Sequence, residues 1–267
     1  MIGIDPLTVI HPGAQIADDV SIGPYCVIGE HAWIGRGTRM VSHVTIDGWT
    51  EIGEENTIFP FVSIGAPPQD LKYAGEKTFV RIGNHNSIRE FVTIHRGTKG
   101  GGGLTQIGNG NLLMAYTHIA HDCSVGNRCI LGNAATLAGH VEIQDDVTLS
   151  AFCGVHQHCR LGRHAFIGGY TVITKDVLPY SKTVAPRSTS VYGANAIGLC
   201  RQRIPSDSIT ALQKAFRMLL VPGRNTTQAL EEIEKDLHDD SEVQHLVAFI
   251  RTSKRGVYAR AGGEDKE

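Results

Sequence analysis

No stretch of this sequence approaches the roughly 18 consecutive apolar residues that a membrane-spanning helix needs. The opening, MIGIDPLTVIHPG, has no basic region followed by an apolar one. No integral membrane span is therefore expected, and the cytoplasm is the expected location. Charge is scarce, at 19% of 267 residues against a usual level of roughly 25%, and the formal net charge is only -2. A balance so near zero argues against a global electrostatic grip on nucleic acid, which is not an expected partner. The six cysteines, Cys26, Cys123, Cys129, Cys153, Cys159 and Cys200, form no CxxC pair. The chain is too long to depend on a disulfide framework, so free thiols are expected. What is abundant is glycine, with 31 residues, which points to many tight turns.

An aliphatic residue or Met recurs every six positions. One run holds Ile4, Ile10, Ile16, Ile22, Ile28, Ile34, Met40, Ile46, Ile52, Ile58 and Ile64. Ile82, Ile88 and Ile94 continue it, and a last run extends from Ile107 through Leu113, Ile119 and Val125 to Ile173. Two residues before most of these stands a small or β-branched residue, such as Thr8, Ala14, Val20, Cys26, Ala32, Cys123, Cys129, Ala135, Cys153 or Cys159. A period of six fits neither a helix of period 3.6 nor an alternating strand of period two; a short strand followed by a fixed corner does fit. Hexapeptide repeats mean a parallel β-helix, with both columns pointing inward. The cysteines of the small column are then core packing.

If three hexads close one triangular coil, residues 18 apart stack at the roughly 4.8 Å spacing of neighbouring strands. Residues 66–81 and 96–106 interrupt the repeat and are expected to be loops. Because Ile64 and Ile82 are 18 apart, the first loop is expected to preserve phase. The repeat region is assigned to residues 1–191, its exit marked by Asp176-Val177-Leu178-Pro179-Tyr180 and Ala185-Pro186, and a helical domain to 192–267. There Ser206 and Ser208 can cap a helix through Leu212, Phe216 and Leu219 that stops at Pro222-Gly223. A second helix follows Thr227, Ser241 can open a third, and the tail after Gly256 is expected to fray.

Histidines gather in the middle of the repeat. With an interval of 18, His121, Gly139 and Gln157 form one stacked series, and Asp122, His140 and His158 the adjacent one. His121 offers a general base, and Asp122 a carboxylate to hold its tautomer, provided a corner brings these neighbours together. No Ser or Cys nucleophile is obviously placed beside His121. The simplest chemistry is direct deprotonation of a substrate hydroxyl that attacks a bound thioester, with the Gly139 backbone N–H serving the oxyanion.

The segments His95-Arg96-Gly97-Thr98, Gly101-Gly102-Gly103-Leu104-Thr105, Asn111-Leu112-Leu113-Met114 and His118-Ile119-Ala120-His121-Asp122-Cys123-Ser124-Val125-Gly126-Asn127 closely resemble the acyl-carrier-protein:UDP-N-acetylglucosamine 3-O-acyltransferases. The similarity extends through Gln69-Asp70-Leu71-Lys72-Tyr73-Ala74-Gly75-Glu76 and Leu137-Ala138-Gly139-His140-Val141 into the helical tail. The resemblance implies a mainly β fold, a left-handed parallel β-helix with a C-terminal helical domain, assembled as a homotrimer with sites between subunits. It implies transfer of a 3-hydroxyacyl chain from acyl carrier protein to UDP-N-acetylglucosamine, the first step of lipid A synthesis, without metal or cofactor.

By that resemblance His121 is the general base, Asp122 its partner, Gly139 the oxyanion donor and His140 a support for the thioester. Gln69, Asp70, Lys72, His118, His156 and Gln157 bind the nucleotide sugar. Asn195 and Arg201 approach phosphate, although Ile197 and Gln202 depart from the family's pattern beside them. Gly169 lies where a bulky side chain would shorten the acyl chain accommodated. Arg201, Arg203, Lys214, Arg217 and Arg224 face only Asp207 in charge, a balance suited to an acidic carrier protein. Because a fold does not establish chemistry, three other readings compete: acylation of a 3-amino sugar or a related N-acyltransfer, a zinc hydratase, and a non-enzymatic scaffold for the carrier protein.

Overall fold

The computed structural model describes residues 3–185, 190–221 and 223–258. Pro186, Pro222 and the tail from Ala259 onward lie outside the described residues. Strands mostly two residues long wind into a left-handed parallel β-helix with three flat faces. The first face begins at Val9–Ile10 and ends at Val172–Ile173, the second runs from Gln15–Ile16 to Arg160–Leu161, and the third from Ser21–Ile22 to Ser181–Val184. On the third face Ser190–Ala194 closes the stack as an antiparallel strand.

The six-residue period follows from this geometry. Each strand turns its aliphatic residue inward, and identical residues stack in register, as in Ile28 on Ile46 and Ile46 on Ile64. The small column fills the corners from inside: Cys26, Cys123, Cys129, Cys153 and Cys159 are all buried. Only the first coil is thin, with Ile4 half-exposed and Ile10 and Ile16 partly buried at the open end of the prism.

Glycine is not chiefly the turn residue that its abundance suggests. The left-handed corners are filled largely by Tyr25, His43, Phe61, Phe91, Tyr116, Asp122, His140, Phe152, His158 and Tyr170, all with φ between 52° and 65°. Non-glycine residues there cost roughly 1–2 kcal/mol each, offset by hydrogen bonds and ring stacking between coils. Many glycines serve close approach instead: a Cβ on Gly23 would stand 1.7 Å from the carbonyl oxygen of Val41.

The loop phase differs from the expectation. Ile82 stacks on Ile52, and Ile64 stacks on Ile94, so the first loop re-enters on the second face and not above Ile64. Both loops, residues 67–78 and 96–103, leave from the corner between the first and second faces, where the coil passes from Ser63–Ala66 to Phe79–Ile82 and from Thr93–His95 to Leu104–Ile107.

Four helices follow, α1 (Ala196–Arg201), α2 (Ser206–Leu219), α3 (Thr226–Asp236) and α4 (Ser241–Thr252). The serine caps are corrected. Pro205 occupies the N-cap of α2 without a side-chain bond, while Asn225 caps α3 and Asp240 caps α4 through the amides of Glu242 and Val243. At α3 and α4 a short polar side chain just upstream of the helix satisfies the free N–H groups, which Ser241, inside α4, does not do. The helices have their own core around Leu212, Phe216, Leu230, Ile233 and Leu246. They are tied to the prism where Arg163 and Tyr180 both bond Glu242 of α4.

Candidate active site

The corner between the first and second faces carries His121, Gly139 and Gln157 on three successive coils, with Asp122, His140 and His158 beside them. Asp122 adopts φ 59°, a conformation that a short acidic side chain tolerates. That turn folds the carboxylate back on its neighbour: His121 Nδ1 donates to Asp122 Oδ2 at 2.8 Å. Because a carboxylate only accepts, the proton sits on Nδ1 and leaves the Nε2 lone pair free as a base. The Asp122 side chain is 0% exposed and that of His121 is 16% exposed, so one member is buried and the other reaches the surface.

Gly139 lies directly under the imidazole. A Cβ there would be 2.5 Å from Cε1 and 2.7 Å from Nε2 of His121. His140 stands edge-on to His121 at 5.2 Å and stacks on His158 at 4.4 Å. Burial lowers the His140 pKa against the opposing pull of Asp122 and, more weakly, of Asp70, which places the Asp70 charge within electrostatic reach. On the adjoining strand, His118 Nδ1 shares a 2.7 Å hydrogen bond with Thr93 Oγ1, and its pKa is also lowered by burial.

Asp70 and Lys72 lie in the first loop, where Asp70 Oδ1 accepts from the Lys72 amide. With Tyr73, Glu76, Thr98 and Lys99 they line a cleft shared by the two loops. Gln157 and His156 are exposed at the same corner, one coil further along, and His156 Nδ1 donates to the Gln157 carbonyl. Gln69 is exposed at the start of the first loop, beside the buried Pro68.

Three expected site residues lie elsewhere in the chain. Asn195 and Arg201 border a separate hollow of about 850 Å³ on the third face, together with Ile197, Gln202, His164 and Lys182. Gly169 sits at the corner between the third and first faces, beside Tyr170. A single chain does not bring these residues to His121.

The thiol of Cys123, next to the dyad in sequence, is buried and points inward, where desolvation pushes its pKa up to about 12. It is not placed to be a nucleophile. Among the described residues, His121, Asp122 and His140 form a set of potential metal ligands within 4.8 Å. Both Asp122 oxygens already accept hydrogen bonds from Thr98, so a cation would have to displace them.

Periodicity gave no sign of Thr98, Thr105 or His95. Thr98 and Thr105 reach Asp122 from the second loop, outside the stacking interval. His95 is buried edge-on to His118 at 4.9 Å, and burial, followed by the charges of His118 and His121, lowers its pKa to about 4. Burial also lowers that of His245, in α4, to about 4.

Both groups are neutral in the fold and take up a proton near pH 6.5 once unfolded. Between pH 6.5 and 4 the unfolded state binds more protons, so stability falls with acidification, by about 1.4 kcal/mol per pH unit for each such group. Urea midpoints are expected to drop from pH 7 to pH 5, and His95→Asn to reduce that slope. An unchanged slope in the variant would remove His95 as a source.

Two family descriptions match the chain: bacterial transferase hexapeptide repeats at residues 4–36, 13–48 and 104–139, and "Udp N-acetylglucosamine O-acyltransferase; Domain 2" at 176–258. The chain is 48% identical over 254 residues to an acyl-[acyl-carrier-protein]–UDP-N-acetylglucosamine O-acyltransferase of Thermodesulfovibrio yellowstonii, covering 95% of this chain and 98% of that one. It is 43% identical, with the same coverage, to the protein of that name from Syntrophobacter fumaroxidans. Its fold is similar to the solved UDP-N-acetylglucosamine acyltransferase of Francisella novicida, with a TM-score of 0.94 and 40% identity, covering 98% of this chain and 95% of that one.

Proposed function

The chain belongs to the acyl-[acyl-carrier-protein]–UDP-N-acetylglucosamine O-acyltransferase family, and from that premise we propose the reaction and the roles of its residues. It is an acyltransferase. A 3-hydroxyacyl chain passes from the carrier-protein thioester to the 3-hydroxyl of UDP-N-acetylglucosamine, opening lipid A synthesis in the cytoplasm. The observation that carries the mechanism is the buried Asp122 holding His121 with Nε2 free above Gly139, with the nearby Cys123 thiol turned inward.

His121 Nε2 takes the proton of the 3-hydroxyl as its oxygen attacks the thioester carbonyl carbon. The Asp122 carboxylate offsets the imidazolium charge that forms. The carbonyl electron pair moves onto oxygen, toward the Gly139 N–H, which has no partner among the described residues. When the tetrahedral adduct collapses, the C–S bond breaks and the imidazolium returns its proton to the leaving thiolate, so the base is regenerated. Asp70, Lys72, His118 and Gln157, with Gln69 and His156, hold the nucleotide sugar. The neutral His140 borders the acyl donor.

Asn195, Arg201 and Gly169 join this site from neighbouring copies in a homotrimer. The distribution of outward side chains supports that assembly. The first face presents Val9, Val27, Thr45 and Thr93, and the third Leu112, Ile130, Thr148 and Phe166 between Arg39 and Lys182 nearer its ends. The second is charged, with Glu51, Arg81, Glu142 and Arg160 beside Trp33 and Phe79. The corner shared by the first and third faces is a ridge of exposed rings, Tyr25, Phe61, Phe91, Tyr116, Phe152 and Tyr170. An apolar ridge between two weakly polar faces suits burial around a threefold axis. Arg201, Arg203, Lys214 and Arg217 stay exposed on α1, α2 and their connection for an acidic carrier protein, while Arg224 is taken by Glu232.

Gly169 is outside the left-handed region, and a Cβ there would meet only the Ala151 carbonyl oxygen, at 3.3 Å. The turn does not require glycine, so the opening itself is what the residue supplies. With UDP-N-acetylglucosamine and a panel of 3-hydroxyacyl carrier proteins, wild type is expected to form an ester with a fairly long chain, and Gly169→Met to prefer a shorter one. Unchanged chain preference would remove the role of Gly169; absence of any ester from wild type would remove the reaction.

A further inference from the structure

On the basis of that reaction, we propose that Thr98 of the second loop is a positioning residue, which locks the Asp122 carboxylate and thereby the tautomer and orientation of His121. The Thr98 hydroxyl donates to Asp122 Oδ2 at 2.6 Å, and its backbone N–H divides between Oδ1 at 2.9 Å and Oδ2 at 3.1 Å. The same hydroxyl accepts from the Gly101 amide at 3.2 Å, closing the 3-10 turn Lys99–Gly101. Asp122 in turn donates its own N–H to Thr105 Oγ1 at 2.8 Å, so both ends of the loop grip one residue.

Two glycines make room for the carboxylate. A Cβ on Gly101 would lie 2.1 Å from Asp122 Cγ and Oδ2, and one on Gly97 would lie 2.7 Å from Oδ1. Neither glycine has a left-handed φ; the atoms nearest a Cβ on Gly101 all belong to Asp122, while one on Gly97 would also meet Leu104 N at 2.3 Å and Gly103 C at 2.4 Å. Oδ2 thus accepts from both the Thr98 hydroxyl and His121 Nδ1, and the Thr98 N–H shared with Oδ1 fixes the plane of the carboxylate. Without the hydroxyl, the carboxylate loses its strongest constraint on rotation, and the imidazole loses its fixed acceptor. Nε2 then carries the proton part of the time and cannot act as base.

The loop also reaches the substrate side. Thr98, Lys99 and Gly100 line the cleft with Asp70 and Lys72, and the Lys99 amide donates to Glu76 Oε1 at 3.3 Å. Thr98 therefore joins the wall of the acceptor cleft to the buried member of the dyad, and its effect belongs to the chemical step more than to binding.

The test compares full-length Thr98→Val and Thr98→Ser with wild type. Thr98→Val is expected to lower kcat by roughly 10–100-fold, as removal of an outer-shell partner does, with KM for both substrates within about twofold. Thr98→Ser, which keeps the hydroxyl, restores most of kcat. In protein labelled with 15N-histidine, the imidazole signal missing from His121→Ala reports the tautomer. It is expected to be Nδ1-protonated in wild type and mixed in Thr98→Val. Should Thr98→Val melt early, Thr98→Ala carries the same expectations without branching at Cβ. Wild-type kcat with an unchanged His121 tautomer in the hydroxyl-less variant overturns the proposal. Undiminished activity in His121→Ala overturns the general-base reading instead, and leaves the tautomer to judge Thr98.

Discussion

Replacing His121 by alanine is expected to lower kcat by roughly 10²–10⁴-fold, the usual worth of a positioned general base. KM for UDP-N-acetylglucosamine should change little. The sugar's own contacts are assigned to Asp70, Lys72, His118 and Gln157, and the lost interaction is one made as the proton moves. The imidazole contributes little to the fold, since among the described residues its one hydrogen bond is to the neighbouring Asp122. The melting temperature should therefore stay close to that of wild type. Steady-state kinetics over both substrates, with thermal melting as a control, separates this outcome from unfolding. A loss confined to KM would make His121 a binding residue and move the search for the base to His118 or His140.

Gly139→Ala is expected to cost nearly as much, by a different route. The added Cβ has no room at 2.5 Å from Cε1 of His121, and Asp122 prevents the ring from swinging away while it keeps its Nδ1 bond. Either the dyad bond breaks or the Gly139 backbone moves, and the second displaces the N–H that faces the oxyanion. A misplacement of about 1 Å at a reacting centre costs on the order of 10²-fold, and a displaced oxyanion donor about 10²–10³-fold. Kinetics with the 15N signal of His121 distinguishes the two routes. A shifted imidazole signal places the damage in the base, an unchanged one in the oxyanion donor. Wild-type kcat in Gly139→Ala would show that neither contact matters.

Much of this was legible in the sequence because each coil repeats one environment. The inward aliphatic at Ile119 needs what Leu137 and Val155 need, so spacing alone lays His121, Gly139 and Gln157 in one column. The left-handed corner that folds Asp122 onto His121 was also implicit, since neighbours on a strand would point to opposite faces. What breaks the repeat was not legible. Nothing in the interval from Ile64 to Ile82 shows that the chain re-enters over Ile52, because a loop's residue count does not say which face receives it. Thr98 meets Asp122 through a loop whose path depends on tertiary contacts. The helix starts slipped, from Ser241 to Asp240 by one residue and from Thr227 to Asn225 by two, because Asp240 and Asn225 compete with neighbouring hydroxyls for the same free amides. Asn195 and Arg201 came from the family resemblance and Gly169 from its coil beyond the catalytic rung, and their place in the site depends on copies of the chain meeting around an axis.

The most direct test of the account follows the ester itself. Wild type and His121→Ala are incubated side by side, in metal-free buffer, with UDP-N-acetylglucosamine and 3-hydroxyacyl carrier protein, and the product is located by mass spectrometry and NMR. An ester on the 3-oxygen of the sugar is expected from wild type and almost none from the variant over the same interval. Equal product from both, or acylation at any other position, would contradict the account.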